Sequence, residues 1–151
     1  MKHLFITALG LGLLAFGGHA AASNCTIKLD SNDRMQFEQK EITVSASCKT
    51  IDIELTHSGQ LPAAAMGHNV VIAATGDVQA INAAGAKAGA AAGYLPEGDA
   101  KVLAATDMIG GGASTKASFA GSKLTAGGDY SFFCSFPGHA ALMKGKLVVT
   151  P

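Results

Sequence analysis

The sequence predicts an all-β fold of two sheets packed as a sandwich. Short segments of alternating or β-branched residues recur at regular spacing between turn residues. Glycine is frequent, at 19 residues, while only 15% of the chain is charged and tryptophan is absent. A single stretch departs from this pattern, being rich in alanine and free of strand signals. A length of 151 residues suits one domain with a sizeable core.

Residues 1–22 stand apart. Lys2 and His3 precede an apolar run from Leu4 to Phe16, and small residues end at Ala20-Ala21-Ala22. A basic start, a short apolar stretch and an Ala-x-Ala site predict a secretory signal peptide, cut after Ala22, with Ala20 or Ala21 as nearby options. The run falls short of the ~20 apolar residues that a membrane span requires. Lipid attachment at Cys25 is disfavoured by Asn24 directly before it. The mature domain is then 23–151, and it has one fewer basic than acidic residue once Lys2 is gone. That balance gives no sign of nucleic acid or of an acidic membrane surface.

The strand candidates follow in order. Thr26 to Leu29 and Ile51 to Leu55 alternate, and Ile42-Thr43-Val44 is β-branched. Asn69 to Ile72 is an apolar run short enough for a buried strand. Val102 to Ala104, Ala117 to Phe119, Asp129 to Cys134 and Lys146 to Thr150 complete the set. Gly127-Gly128 opens the Tyr130 strand, and Pro137-Gly138 turns the loop after it. Between Val78 and Ala92 alanine favours helix, while Gly85 and Gly89 weaken it. This predicts a short, glycine-interrupted helix in a flap outside the sandwich, over roughly 77–95. Gly110-Gly111-Gly112 is followed by no Lys-Ser/Thr pair, so it reads as a turn and not a phosphate cradle.

Three cysteines remain after cleavage. In an oxidising compartment two of them pair. Cys25 and Cys48 flank two strand-like segments and form the expected bridge, leaving Cys134 odd. Just downstream of Cys134 lie His139 and Met143. Thiolate and thioether are soft ligands, and one thiolate, two imidazoles and a distant methionine make a blue-copper electron-transfer site. The second imidazole comes from His57 or His68. His68 follows Met66-Gly67 and precedes an apolar strand, where backbone can approach a ligand closely, so His68 is the candidate. His57, at a strand end, reads as a hydrogen-bonded side chain. Phe136 can donate its N–H to the sulfur, whereas Pro137 has none to offer.

Cys134, then four residues to His139, then three to Met143, with Phe136-Pro137-Gly138 inside the loop, resembles the azurins, small bacterial periplasmic cupredoxins. Met35-Gln36-Phe37 and Met66-Gly67-His68-Asn69 match as well, and the likeness runs from about Cys25 to Val149. Plastocyanin-like relatives place only two residues between Cys and His. The resemblance implies a Greek-key, cupredoxin-like sandwich with a helical insertion, one type 1 copper ion, and the role of a periplasmic electron carrier. It implies Gly67 as a weak axial carbonyl ligand opposite Met143, and Asn69 as the residue that ties the ligand strand to the Cys loop through Ser135. It implies an apolar patch around the His139 edge made by Met35, Leu61, Pro62, Ala65, Met66, Phe136, Pro137, Ala141 and Leu142. Partners there would be c-type cytochromes or periplasmic reductases and dehydrogenases. His57 would lie near the copper without binding it. The chain departs from the family at Val70, where a buried tryptophan is common, and at Ala105, which replaces a surface histidine.

Copper storage or delivery is the alternative function. Such sites keep copper(I) exposed, often with Met-rich tracts, and the four methionines beyond Met1 are dispersed. A cysteine nucleophile with His139 as its base would be enzymatic, but no orienting acid is evident. Zinc prefers four strong ligands, and a thioether is a poor fourth.

Overall fold

The computed structural model describes residues 24–151; the expected signal peptide lies outside them. Nine strands form two sheets. The first has the order β2-β1-β4-β7, from β1 (Thr26–Asn32), β2 (Gln36–Phe37), β4 (Thr50–His57) and β7 (Ser114–Ala120). The second has the order β3-β9-β8-β5-β6, from β3 (Glu41–Ser45), β5 (Val71–Ala74), β6 (Ala104–Ala105), β8 (Tyr130–Phe133) and β9 (Lys144–Thr150). β1 pairs with β4 in parallel, as β3 does with β9; the other pairs are antiparallel.

Alternation decides which residues fill the space between the sheets. Along β4, Ile51, Ile53 and Leu55 point inward, and Ile27 and Leu29 of β1 join them. Val44, Ile72, Phe132, Leu147 and Val149 face them from the second sheet. The rings of Phe37 and Phe132 meet edge-on with centroids 5.7 Å apart.

β5 and β8 are apolar on both faces for a physical reason. Their outward residues Val71, Ala73 and Phe133 are covered by Val78 and Ile81 of helix α2 (Val78–Ala88), which forms a second small core. The expected glycine-interrupted helix is therefore present. It ends at Gly89, whose φ of 77° suits glycine, and a 3-10 turn follows at Ala90–Ala92. Gly85 lies buried inside the helix, where a Cβ would collide with the Tyr94 carbonyl. It permits close approach of the chain that follows the helix. The short strand β2 and the one-turn helix α1 (Ala63–Met66) carry no usable sequence period.

Cys25 and Cys48 form the disulfide, and Cys134 is free and buried. The bridge sits at the start of β1 and β4. Seven residues further on, the same strands end at Asn32 and His57, about 23 Å away at ~3.3 Å per residue. Among the described residues no helix is long and apolar enough to cross a membrane.

Candidate metal centre

Antiparallel pairing sets the end of β8 beside the start of β5, with Val71 opposite Phe133. The residues just outside that pair, His68 to Val70 and Cys134 onward, therefore meet at one end of the sandwich. His68 exchanges two backbone hydrogen bonds with Ile109, each 2.9 Å. The loop after Cys134 is closed at its neck, where the Cys134 N–H donates to the Met143 carbonyl at 3.0 Å. Inside it His139 starts a 3-10 turn after Gly138, and its carbonyl accepts from the N–H of Leu142 and of Met143.

This brings His68, Cys134 and His139 together. Cys134 Sγ lies 4.0 Å from His68 Nδ1 and 3.7 Å from His139 Nδ1, and the three donor atoms all fall within 4.8 Å of one another. A first-row ion with bonds of ~2.3 Å to sulfur and ~2.0–2.1 Å to nitrogen would hold S and N about 3.8 Å apart in a trigonal plane. The cluster has those separations, so the donor set fits such an ion. Gly67 turns its carbonyl oxygen to within 3.7 Å of the sulfur, and Met143 is fully buried at the end of the loop.

Neighbouring groups fix each donor. His68 Nε2 lies 2.9 Å from the Asn32 carbonyl, which can only accept. The proton of a neutral imidazole is thus on Nε2, and the Nδ1 lone pair faces the sulfur. Asn69 donates from Nδ2 to Ser135 Oγ at 2.8 Å and accepts the Ser135 N–H on Oδ1 at 2.9 Å. The Ser135 hydroxyl donates onward to the Gly93 carbonyl at 3.2 Å. The expected second role of Asn69 and Ser135, tying two segments together, has its geometry here.

The electrostatics follow from burial. Desolvation pushes the Cys134 thiol up to about 11, although the backbone N–H groups of Asn69 and Phe136 favour its anion. His139 is held down to about 4, first by desolvation and then by the neighbouring His68. His68 is also lowered, chiefly by desolvation. The metal-free site at neutral pH is therefore a protonated thiol beside two neutral imidazoles.

Sequence reasoning missed several groups. The Asn69 N–H at the sulfur and the Asn32 carbonyl on His68 are backbone groups and carry no residue signature. His57, read from the sequence as a hydrogen-bonded side chain and so not among those missed, is buried and stacks on His68, with centroids 4.3 Å apart and 21° between planes. It donates from Nε2 to the Met66 carbonyl at 3.1 Å and accepts the Gly59 N–H on Nδ1 at 3.0 Å. The alternation Ile51, Ile53, Leu55, His57 placed it on the inward face, and that was the available signal.

The residues of the predicted patch differ in exposure. Leu61, Pro62, Ala65, Pro137, Ala141 and Leu142 are exposed, while Met35, Met66 and Phe136 are half-buried. Leu61 is 41% and Leu142 57% exposed, whereas His139 shows only 3% of its surface. Asp33 holds the Leu61 loop by accepting the N–H groups of Gln60 and Leu61, and these keep its carboxyl below the usual carboxylate range. The glycine run supports the loop from below. The Gly111 N–H donates to the Leu61 carbonyl at 2.8 Å, and a Cβ on Gly111 would strike the Gln60 backbone.

A two-sheet sandwich with one thiol and two imidazoles buried at one end defines a small copper protein of the electron-transfer kind. The model of the copper-binding proteins of the plastocyanin/azurin family matches residues 23–150. The azurin of Bordetella pertussis is 48% identical over 139 residues, 91% of this chain and 93% of that one. The azurin of Pseudomonas putida is 48% identical over 127 residues, 84% of this chain and 99% of that one. Among solved structures, an azurin (Az-iso2) from the obligate methylotroph Methylomonas sp. strain J superposes with a TM-score of 0.81 at 37% identity. It covers 85% of this chain and 100% of that one. The chain belongs to the plastocyanin/azurin family of copper-binding proteins. The Greek-key sandwich, the copper cofactor and the role of type 1 copper electron carrier hold for it, and copper storage or delivery is not favoured.

Proposed function

We propose that this chain shuttles single electrons between periplasmic redox proteins on one copper ion held in plane by His68, Cys134 and His139. Met143 and the Gly67 carbonyl would supply two further, weaker donors to such an ion. The convergence of one Sγ and two Nδ1 atoms in a buried pocket supports this reading most directly. Bound copper supplies a one-electron couple. The chain supplies the fixed frame: Asn32 orients His68, the Asn69–Ser135 pair locks the two ligand segments together, and the N–H groups of Asn69 and Phe136 disperse charge on sulfur. A frame that changes little with oxidation state keeps the reorganisation cost of each transfer small.

The thiol stays protonated at neutral pH when free, and both imidazoles crowd it as co-donors, which supports a ligand set and not a nucleophile with its base. We read the protein as a carrier and not an enzyme. Electrons pass over the nearly covered edge of His139, with partners such as c-type cytochromes or periplasmic reductases and dehydrogenases resting on the patch from Leu61 to Leu142. Such redox encounters bury little area. Residues 1–22 direct export and are removed, and 23–151 form the working domain with its flap at 77–95.

Visible and paramagnetic-resonance spectra of the copper-loaded mature protein test the site. An intense copper(II)–thiolate band and a single copper signal that vanishes with one reducing equivalent are expected. A colourless oxidised protein would overturn the reading. N-terminal sequencing of protein recovered from the periplasm should begin at Ser23.

A further inference from the structure

The segment after α2 is keyed to the Cys134 loop at two successive residues. Gly93 accepts the Ser135 hydroxyl at 3.2 Å. The Tyr94 ring meets the Phe136 ring edge-on, with centroids 5.2 Å apart and 69° between planes. Phe136 in turn lies against His139, with centroids 4.5 Å apart, and its N–H is directed at the Cys134 sulfur. Phe136 thus touches two donor residues at once, one through its ring and one through its backbone. Tyr94 is the ring on its other side.

The backbone of Tyr94 is held where a tyrosine does not go by itself. Its φ is 54°, in the left-handed region, and it is one of two non-glycine residues there among those described. The buried Gly85 of α2 lets the Tyr94 carbonyl approach the helix closely. An uncommon backbone conformation retained beside a site points to a placement that its surroundings impose.

We propose that Tyr94 is a positioning residue: its ring braces Phe136 from the flap side and so fixes both the N–H to sulfur contact and the pitch of the His139 imidazole. This rests on the copper reading above and deepens it, making the flap part of the redox site. A donor N–H favours the state with more negative charge on sulfur, which is the reduced one. Loosening Phe136 therefore lowers the reduction potential.

The test compares Tyr94→Ala and Tyr94→Phe, with Ile53→Val in the remote sheet as a control for general loss of stability. In the copper-loaded protein, Tyr94→Ala lowers the midpoint potential and shifts the copper–sulfur band. In the metal-free protein it speeds amide hydrogen exchange at Phe136 at least tenfold. Tyr94→Phe and Ile53→Val match the parent in all three measurements. An unchanged potential and exchange rate in a folded Tyr94→Ala protein overturns the brace. So does a Tyr94→Phe shift as large as that of Tyr94→Ala, which would assign the effect to the hydroxyl. If the parent takes up no copper, the copper reading falls, and exchange in the metal-free chain still upholds or overturns the brace.

Discussion

Asn69→Ala removes a doubly hydrogen-bonded side-chain tie between the His68 segment and the Cys134 loop. Two hydrogen bonds go, the 2.8 Å bond to Ser135 Oγ and the 2.9 Å bond from Ser135 N–H. Each contributes about 1 kcal/mol net, and the buried Ser135 N–H left without an acceptor costs roughly 1–3 kcal/mol more. The Ser135 hydroxyl keeps its bond to Gly93. The metal-free protein, its disulfide intact, should lose about 3–5 kcal/mol. With a guanidinium slope of about 4 kcal/mol per molar, the unfolding midpoint moves down by roughly 0.8–1.2 M. Copper affinity should also drop, about 10–100-fold, because groups that orient ligands carry effects of that size. The loaded protein should therefore lose more stability than the metal-free one, by about 1.4–2.7 kcal/mol. Ser135→Ala keeps the backbone bond to Asn69 Oδ1 but loses the hydroxyl's bonds to Asn69 Nδ2 and the Gly93 carbonyl, so it should cost a comparable amount. Equilibrium unfolding with and without copper, plus a competition titration, measures every term. A metal-free loss below about 1 kcal/mol would refute the structural argument. An unchanged copper affinity would reduce the pair to a stability device.

Copper uptake at pH 7 should release one proton, from the Cys134 thiol at about 11, while His139, held near 4, gives none; an indicator dye in weakly buffered solution counts it. The sign follows from what binds protons: from neutral pH up to about 11 only the metal-free thiol carries one, so apparent affinity falls tenfold per unit on acidification there, and more steeply in acid once His68 and then His139, at about 4, can be protonated in the metal-free protein. Cys134→Ser should abolish the visible band, and Met143→Leu should keep copper bound but raise the potential; an unaltered potential by voltammetry would count against Met143 as a ligand. Replacing Cys25 and Cys48 by serine opens a loop of sequence separation 23, worth about 3.4 kcal/mol by chain entropy. Thermal unfolding should show that loss, and the copper spectrum, a strand's length away, should not change. A charge at Leu61, as in Leu61→Glu, should slow both partner transfer and self-exchange, which stopped-flow and NMR line widths report.

Much of this architecture was legible because it depends on side-chain chemistry at fixed spacing. Alternation in Ile51 to Leu55 named a half-buried strand, and the apolar run Asn69 to Ile72 leads into a strand covered on both faces, by the core and by α2. Cys134, His139 and Met143 were visible together since one short loop carries them. What escaped was of two kinds. β2 is held by two register pairs to β1 and α1 is a single turn, too short for any period to show. The Asn32 carbonyl, the Met66 carbonyl and the Asn69 N–H act through the main chain, and every residue type has those groups, save that proline lacks the N–H. Gly85 was misleading in an instructive way. Inside a helix it lowers propensity, and only the packed structure reveals that Tyr94 needs the empty space.

The division between main-chain and side-chain support has an evolutionary corollary. The carbonyl of Asn32 holds the His68 proton whatever amino acid occupies that position, so drift at the codon leaves the imidazole's tautomer intact. Short of proline, the same immunity covers the amide directed at sulfur from residue 69. Heritable variation in the redox property must then accumulate at the few places where a named side chain does the holding, and lineages that need a different potential should be found to differ there first.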